Sequence, residues 1–193
     1  TQATGFPRVK PTKVWLTQDN GGSYVDWTAQ VTDDDLGTSF SITYTDAAGA
    51  DAQYLYIGYS AAFTGVVFAM AQAASDRNFA NDLVVEFSLG GGTWGNMQTA
   101  GTGFDDATKT PTADTPYQEN ASLRESGLLS FLFPLTWATD TVNGTASTFW
   151  LRLSYTTTSG LAGNIPADPL IAEVRLTTSD QVGYLYRGRR ASP

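Results

Sequence analysis

Apolar residues in this chain recur with a period of two inside short segments, and turn-forming residues separate those segments. The clearest case is Phe149-Trp150-Leu151-Arg152-Leu153-Ser154-Tyr155. Phe149, Leu151, Leu153 and Tyr155 fall on one face, while Trp150, Arg152 and Ser154 fall on the other. That alternation predicts a strand whose first face is core. Its predicted partner, 128–133, is apolar on both faces and stops at Pro134, which has no N–H to continue a ladder. Between the two, 139–148 is rich in Thr, Asp, Asn and Gly and reads as solvated. In 39–45 the alternation places Phe40, Ile42 and Tyr44 inward. The same reading gives candidate strands at 14–17, 24–31, 39–45, 53–59, 66–71, 82–89, 128–133, 148–155 and 170–177. No long stripe of 3.6-residue period competes with them, and helix is predicted for at most a turn or two over 71–81 and 120–126. The expected fold is all-β, a two-sheet β-sandwich or jelly roll.

Turn chemistry separates the strands. Asp19-Asn20-Gly21-Gly22 joins the first pair, 46–51 joins the third and fourth, and Gly90-Gly91-Gly92 closes a hairpin after Leu89. Two connections, 99–126 and 158–169, have the length of functional loops or arms. At the N-terminus, Gly5-Phe6-Pro7-Arg8-Val9-Lys10-Pro11 holds two prolines and little to bury. The predicted organisation is an extended N-terminal arm over 1–13, a sandwich over 14–180, and a basic C-terminal arm over 181–193.

With 193 residues, 41% of them hydrophobic, the chain can build a real core and is one domain with arms. The chain contains no Cys and no His. It therefore has no disulfide, no thiolate or imidazole metal ligand, and no Ser-His-Asp or Cys-His machinery. No apolar run approaches the roughly 20 residues of a membrane helix, since the longest, 61–74, is broken by Thr64, Gly65 and Gln72. The first thirteen residues lack the apolar stretch of a secretory signal. The reading is a soluble protein with no membrane partner.

Charge is distributed unevenly. Arg8, Lys10 and Lys13 lie in the first thirteen positions and Arg187, Arg189 and Arg190 in the last seven. The segment 14–186 holds five basic residues against all nineteen acids, a net of −14, and the two ends together carry +6. An acidic body repels phosphates, which argues against a nucleic-acid partner. The basic ends, with Tyr184 and Tyr186 interleaved among the arginines, have the composition of a protein interface. Arg8, Lys10, Lys13, Tyr184, Tyr186, Arg187, Arg189 and Arg190 are accordingly the candidate partner-binding residues, with Arg offering planar multi-donor contacts to carboxylates. Frayed, merely solubilising ends are the plainer alternative.

Other constellations carry less. Asp33-Asp34-Asp35 offers oxygen ligands for calcium but lacks the spacing of a calcium loop, and reads as a solvated turn. Glu86 and Glu173 are the best pair for glycoside hydrolysis, yet each reads as a mid-strand acid facing solvent or paired with Arg152 or Arg175. Trp94 and Tyr117 offer flat faces for a sugar, and packing at a sandwich end is an equal reading for Trp94. Trp137 reads as a packing anchor. No catalytic residue, cofactor site or metal site is expected.

Several of these motifs together resemble a known group. They are Tyr54-Leu55-Tyr56-Ile57-Gly58 followed by Phe63, then 83–89 with Gly90-Gly91-Gly92-Thr93-Trp94, and Phe104-Asp105-Asp106-Ala107-Thr108. To these are added Pro134, Trp137, Val142-Asn143-Gly144 and Phe149-Trp150-Leu151-Arg152-Leu153. Over roughly 54–156 the chain resembles the β-sandwich module of tailed-phage virion proteins, found among head decoration and tail or baseplate chains. The connection 99–126 is longer than that pattern. The resemblance implies a non-enzymatic virion structural protein, a decoration or cement protein on the outer surface of the head. Its implied partners are the major capsid protein and neighbouring copies of itself, as a homo-oligomer on the particle. A tail or baseplate accessory protein and a carbohydrate- or receptor-binding module are the alternatives.

Overall fold

Two antiparallel sheets pack face to face around one core. A computed structural model of the chain describes residues 8–18, 22–42, 53–72, 83–108, 122–123, 125–155 and 170–178. Within these, twelve strands form. They are β1 (Lys13–Gln18), β2 (Ser23–Asp26), β3 (Phe40–Ser41), β4 (Leu55–Tyr59), β5 (Phe63–Gln72) and β6 (Leu83–Gly90), followed by β7 (Thr93–Asn96), β8 (Asp105–Asp106), β9 (Gly127–Ser130), β10 (Thr139–Asp140), β11 (Thr148–Tyr155) and β12 (Leu170–Thr178). The larger sheet runs β2-β1-β4-β11-β6-β7, with β10 added beside β11, and the smaller runs β3-β12-β5-β9-β8. The expected all-β sandwich is the architecture found.

The core lies where inward-facing positions of both sheets meet. Val14, Leu16, Leu55, Ile57, Leu83, Val85, Leu151 and Leu153 come from the larger sheet, and Phe63, Val66, Phe68, Leu129, Ile171, Val174 and Leu176 from the smaller. Trp137 closes this core near β5 and β6. It packs edge-on to Phe63 at 4.9 Å, touches Phe87, and donates its indole N–H to the Trp150 carbonyl at 3.2 Å. The expectation of a packing anchor holds there.

Every candidate strand overlaps a real one, and the differences have local causes. The segment 24–31 stops pairing at Asp26, whose Oδ1 accepts the Thr28 N–H and turns the chain. A 3-10 turn at Gln30–Thr32 follows and buries Val31 in the core. The segment 128–133 pairs only to Ser130, because the Leu132 N–H turns away to the Thr102 carbonyl. Leu132 and Phe133 consequently point outward instead of filling two faces of a strand. In 39–45, Phe40 and Ile42 are buried as the alternation predicts, and Tyr44 lies outside the described residues. The segments 73–81 and 120–121, within the two stretches that suggested a helical turn, also lie outside them, whereas Ala71 and Gln72 belong to β5. At Gly90-Gly91-Gly92 all three residues adopt positive φ, as the hairpin requires.

In β11 both faces are used. Leu151 and Leu153 are fully buried in the core and Phe149 packs against it. Trp150, on the opposite face, is equally buried in a second cluster outside the sandwich. Replacing Leu151 by Ala therefore removes a fully enclosed side chain, and chemical denaturation should show a loss of about 2–5 kcal/mol. A change within about 0.5 kcal/mol would contradict the register of β11.

Candidate functional site

The chain reaches the sandwich and leaves it at the same end. Val9 forms a two-bond bridge with Leu176, its N–H donating to the Leu176 carbonyl at 3.0 Å and its carbonyl accepting from Leu176 N–H at 2.8 Å. The bridge is antiparallel, which sets the exposed Arg8 beside the last residues of β12. From Val9 the chain crosses to the larger sheet, where the Thr12 N–H donates to the Gly58 carbonyl at 2.8 Å and β1 begins at Lys13. Residues 8–13 thus lie against the body and clasp both sheets.

This placement divides the candidate basic residues. Lys10 pairs with Asp34 at 3.2 Å and Lys13 with Asp26 at 2.8 Å, both on the body's own surface. Arg8 is exposed and has no ion-pair partner among the described residues. Tyr184, Tyr186, Arg187, Arg189 and Arg190 lie outside the described residues. The structure therefore brings Arg8 to the exit of β12 and engages Lys10 and Lys13 in internal pairs.

The acid run 33–35 is a structural turn. Asp33 accepts the Asp35 N–H, Asp35 accepts the Gly37 N–H, and Asp34 adopts positive φ. The Asp34 carboxylate reaches Arg175, a buried guanidinium that also donates to the Val31, Thr32 and Val174 carbonyls and pairs with Glu173 at 2.7 Å. The Arg175 hydrogen bond, reinforced by Lys10, holds the Asp34 carboxyl below its ordinary range. Arg175 is thus the post that fixes segment 30–34 on the smaller sheet.

The outer face of the larger sheet is covered by aromatic rings. Trp150 stacks on Trp15 at 5.4 Å, Trp15 meets Tyr24 edge-on, and Tyr56 contacts Trp150 and Trp94 edge-on. The Arg152 guanidinium lies between the rings of Tyr54 at 4.7 Å and Trp94 at 4.4 Å, and its Nε donates to Glu86 at 2.6 Å. Burial works to lower the Arg152 pKa, but Glu86 and Tyr56 outweigh it and hold the group above its ordinary value. Trp94 is therefore a packed, half-buried ring with one face already against a cation. Tyr117 lies outside the described residues.

Glu86 and Glu173 do not meet. Glu86 stands on the outer face of the larger sheet and Glu173 on the outer face of the smaller, with the core between them. Glu86 pairs with Arg152 directly across the β6–β11 ladder, and Glu173 pairs with Arg175 two positions along β12. The close approach of two carboxylates that a glycosidase requires is absent from this pair.

A feature that pattern reading missed lies at the end where the chain ends emerge. In Leu132-Phe133-Pro134-Leu135, Pro134 is buried while Leu132, Phe133 and Leu135 are 58%, 43% and 94% exposed. The signal was the run of apolar residues past the strand, which alternation alone extends into a two-faced strand. No protein-family model matches the chain, and no curated protein is significantly similar to it.

The Lys13–Asp26 pair gives a test in acid. Burial alone would raise the Asp26 pKa, but hydrogen bonds from Lys13 and Thr28 outweigh it and bring the value to about 2 from 3.8. A carboxylate depressed by folding contributes stability above its unfolded pKa, and that contribution disappears as pH falls through the folded value. Between about pH 4 and pH 2 the wild type should lose stability more steeply than Asp26→Asn, measured by urea melts at fixed salt. Parallel curves would contradict the pairing.

Proposed function

We propose that this protein is a non-enzymatic structural component of a tailed-phage virion, a decoration or cement protein that adheres to the outer surface of the head. The observation that carries the reading is the shared exit. An acidic sandwich presents both of its basic chain ends from one end of the body, through Arg8 beside β12 and the arginine-bearing segment that follows Thr178. A body of net −14 with +6 at its ends is a dipolar adhesive unit, oriented by its partner's carboxylates. Its partners are the major capsid protein and neighbouring copies of itself, and many weak contacts repeated by shell symmetry sum to firm attachment.

The geometry of the side chains supports adhesion over chemistry. The candidate carboxylates are neutralised by arginines on opposite faces, and the aromatic face is packed upon itself around Arg152. The resemblance of 54–156 to the virion module points the same way, since its motifs are hairpin and packing motifs. A tail or baseplate position is the competing location, and co-sedimentation with purified heads and purified tails separates the two.

Deleting 181–193, or replacing Arg187, Arg189 and Arg190 by Ser, should leave the melting temperature unchanged and weaken binding to heads that lack the protein. Wild-type binding should also fall as salt rises from about 50 to 300 mM, because exposed pairs are screened over roughly 8–10 Å at moderate ionic strength. Undiminished decoration by the truncated chain would remove the basic ends from the attachment.

A further inference from the structure

Three large apolar side chains exposed within four positions form a patch, and a patch differs from scattered surface leucines in needing an explanation. The loop Leu132-Phe133-Pro134-Leu135 is not slack. Phe131 before it is buried and donates its N–H to the Thr64 carbonyl at 2.9 Å. The Leu132 N–H donates to the Thr102 carbonyl at 2.7 Å, and the Trp137 N–H to the Pro134 carbonyl at 3.0 Å. Pro134 turns inward and Trp137 locks into the core, so the backbone itself holds Leu132, Phe133 and Leu135 toward solvent.

The position of this loop is the second observation. Thr178, the last residue of β12, pairs with Phe63, and the Phe63 ring packs on Phe131 at 6.2 Å. The Thr64 hydroxyl donates to the Thr177 carbonyl, tying the same corner together. The apolar loop therefore adjoins the point where the basic C-terminal segment departs, and Arg8 stands across β12 from it. An apolar centre with a positive surround is the composition of a protein interface with a desolvated anchor and a polar rim.

Resting on the reading of the protein as a head-decorating component, we infer that Leu132, Phe133 and Leu135 are the apolar anchor of its attachment surface. They seat in an apolar hollow of the shell protein that is ringed by carboxylates. Charge complementarity selects this occupant. The surround of the loop is basic while the remainder of the body is strongly acidic, so an acid-rimmed protein surface attracts this end and turns the rest outward. An anionic bilayer, broad and uniformly negative, would repel that acidic body.

The test uses the full chain and heads of its phage produced without it. Leu135→Ser, at a side chain 94% exposed, leaves folding intact and should weaken head binding by about tenfold. The triple replacement of Leu132, Phe133 and Leu135 by Ser should weaken it by a hundredfold or more, with near-ultraviolet circular dichroism reporting the fold. Leu135→Asp and Leu135→Lys lose the same apolar contact, and the Asp variant should bind several-fold more weakly than the Lys variant if carboxylates ring the hollow. Wild type that binds heads no better than Leu135→Ser overturns the inference alone. Wild type that does not bind heads at all overturns the functional reading and the inference with it. Binding to phosphatidylglycerol-containing vesicles through Leu135, or a concentration-dependent self-association abolished by Leu135→Ser, overturns the assigned occupant.

Discussion

A tryptophan lying flat on a glycine is the contact on which the larger sheet depends. A Cβ at Gly58 would sit 2.6 Å from the Trp150 ring, so only glycine lets that indole close on the strand beside it. Once seated, Trp150 stacks on Trp15, faces the edge of Tyr56, and donates its indole N–H to the Asp140 carbonyl at 3.0 Å. Its backbone N–H donates to the Ser88 hydroxyl oxygen, whose own hydrogen goes to the Ala138 carbonyl. The central strand of the sheet is thereby buried on both faces, with Leu151 and Leu153 inside and Trp150 outside. The loop that carries β10 is pinned in the process.

That arrangement decides what the outer face can do. Rings that a sugar or peptide would need to find open are occupied by one another, and the remaining faces of Tyr54 and Trp94 clasp Arg152. Arg152 is itself held by Glu86, so the cation has no more freedom to meet a ligand than the rings have. On the smaller sheet Arg175 plays the corresponding role, neutralising Glu173 and Asp34 while gathering three carbonyls of its surroundings. With both faces satisfied in this way, the exposed apolar chemistry of the described residues concentrates at the end loop beside the chain ends.

Period-two patterning made the sandwich legible, because half-buried strands must alternate and Phe40, Ile42, Leu151 and Leu153 do so. The same rule misread Trp150 as a solvent-side residue, since alternation marks two faces without saying that the second one carries its own small core. It also extended 128–133 through Leu132 and Phe133. A backbone N–H that leaves the ladder for Thr102 has no signature in the side chains. The cross-strand pair Glu86–Arg152 was readable as an acid and a base at mid-strand. The Lys10–Asp34 and Lys13–Asp26 pairs were not, because they depend on how residues 8–13 fold back across both sheets. The basic ends were visible as composition, and only the Val9–Leu176 bridge shows that they emerge together.

Hydroxyl-radical footprinting of the protein free and bound to heads examines the attachment surface side chain by side chain. The account predicts that oxidation of Leu132, Phe133 and Leu135 falls strongly on binding while Tyr54, Tyr24 and Trp94 react as they do in the free protein. Protection centred on Tyr54 and Trp94, with Leu135 still reactive, would contradict it and move the attachment to the outer face of the larger sheet.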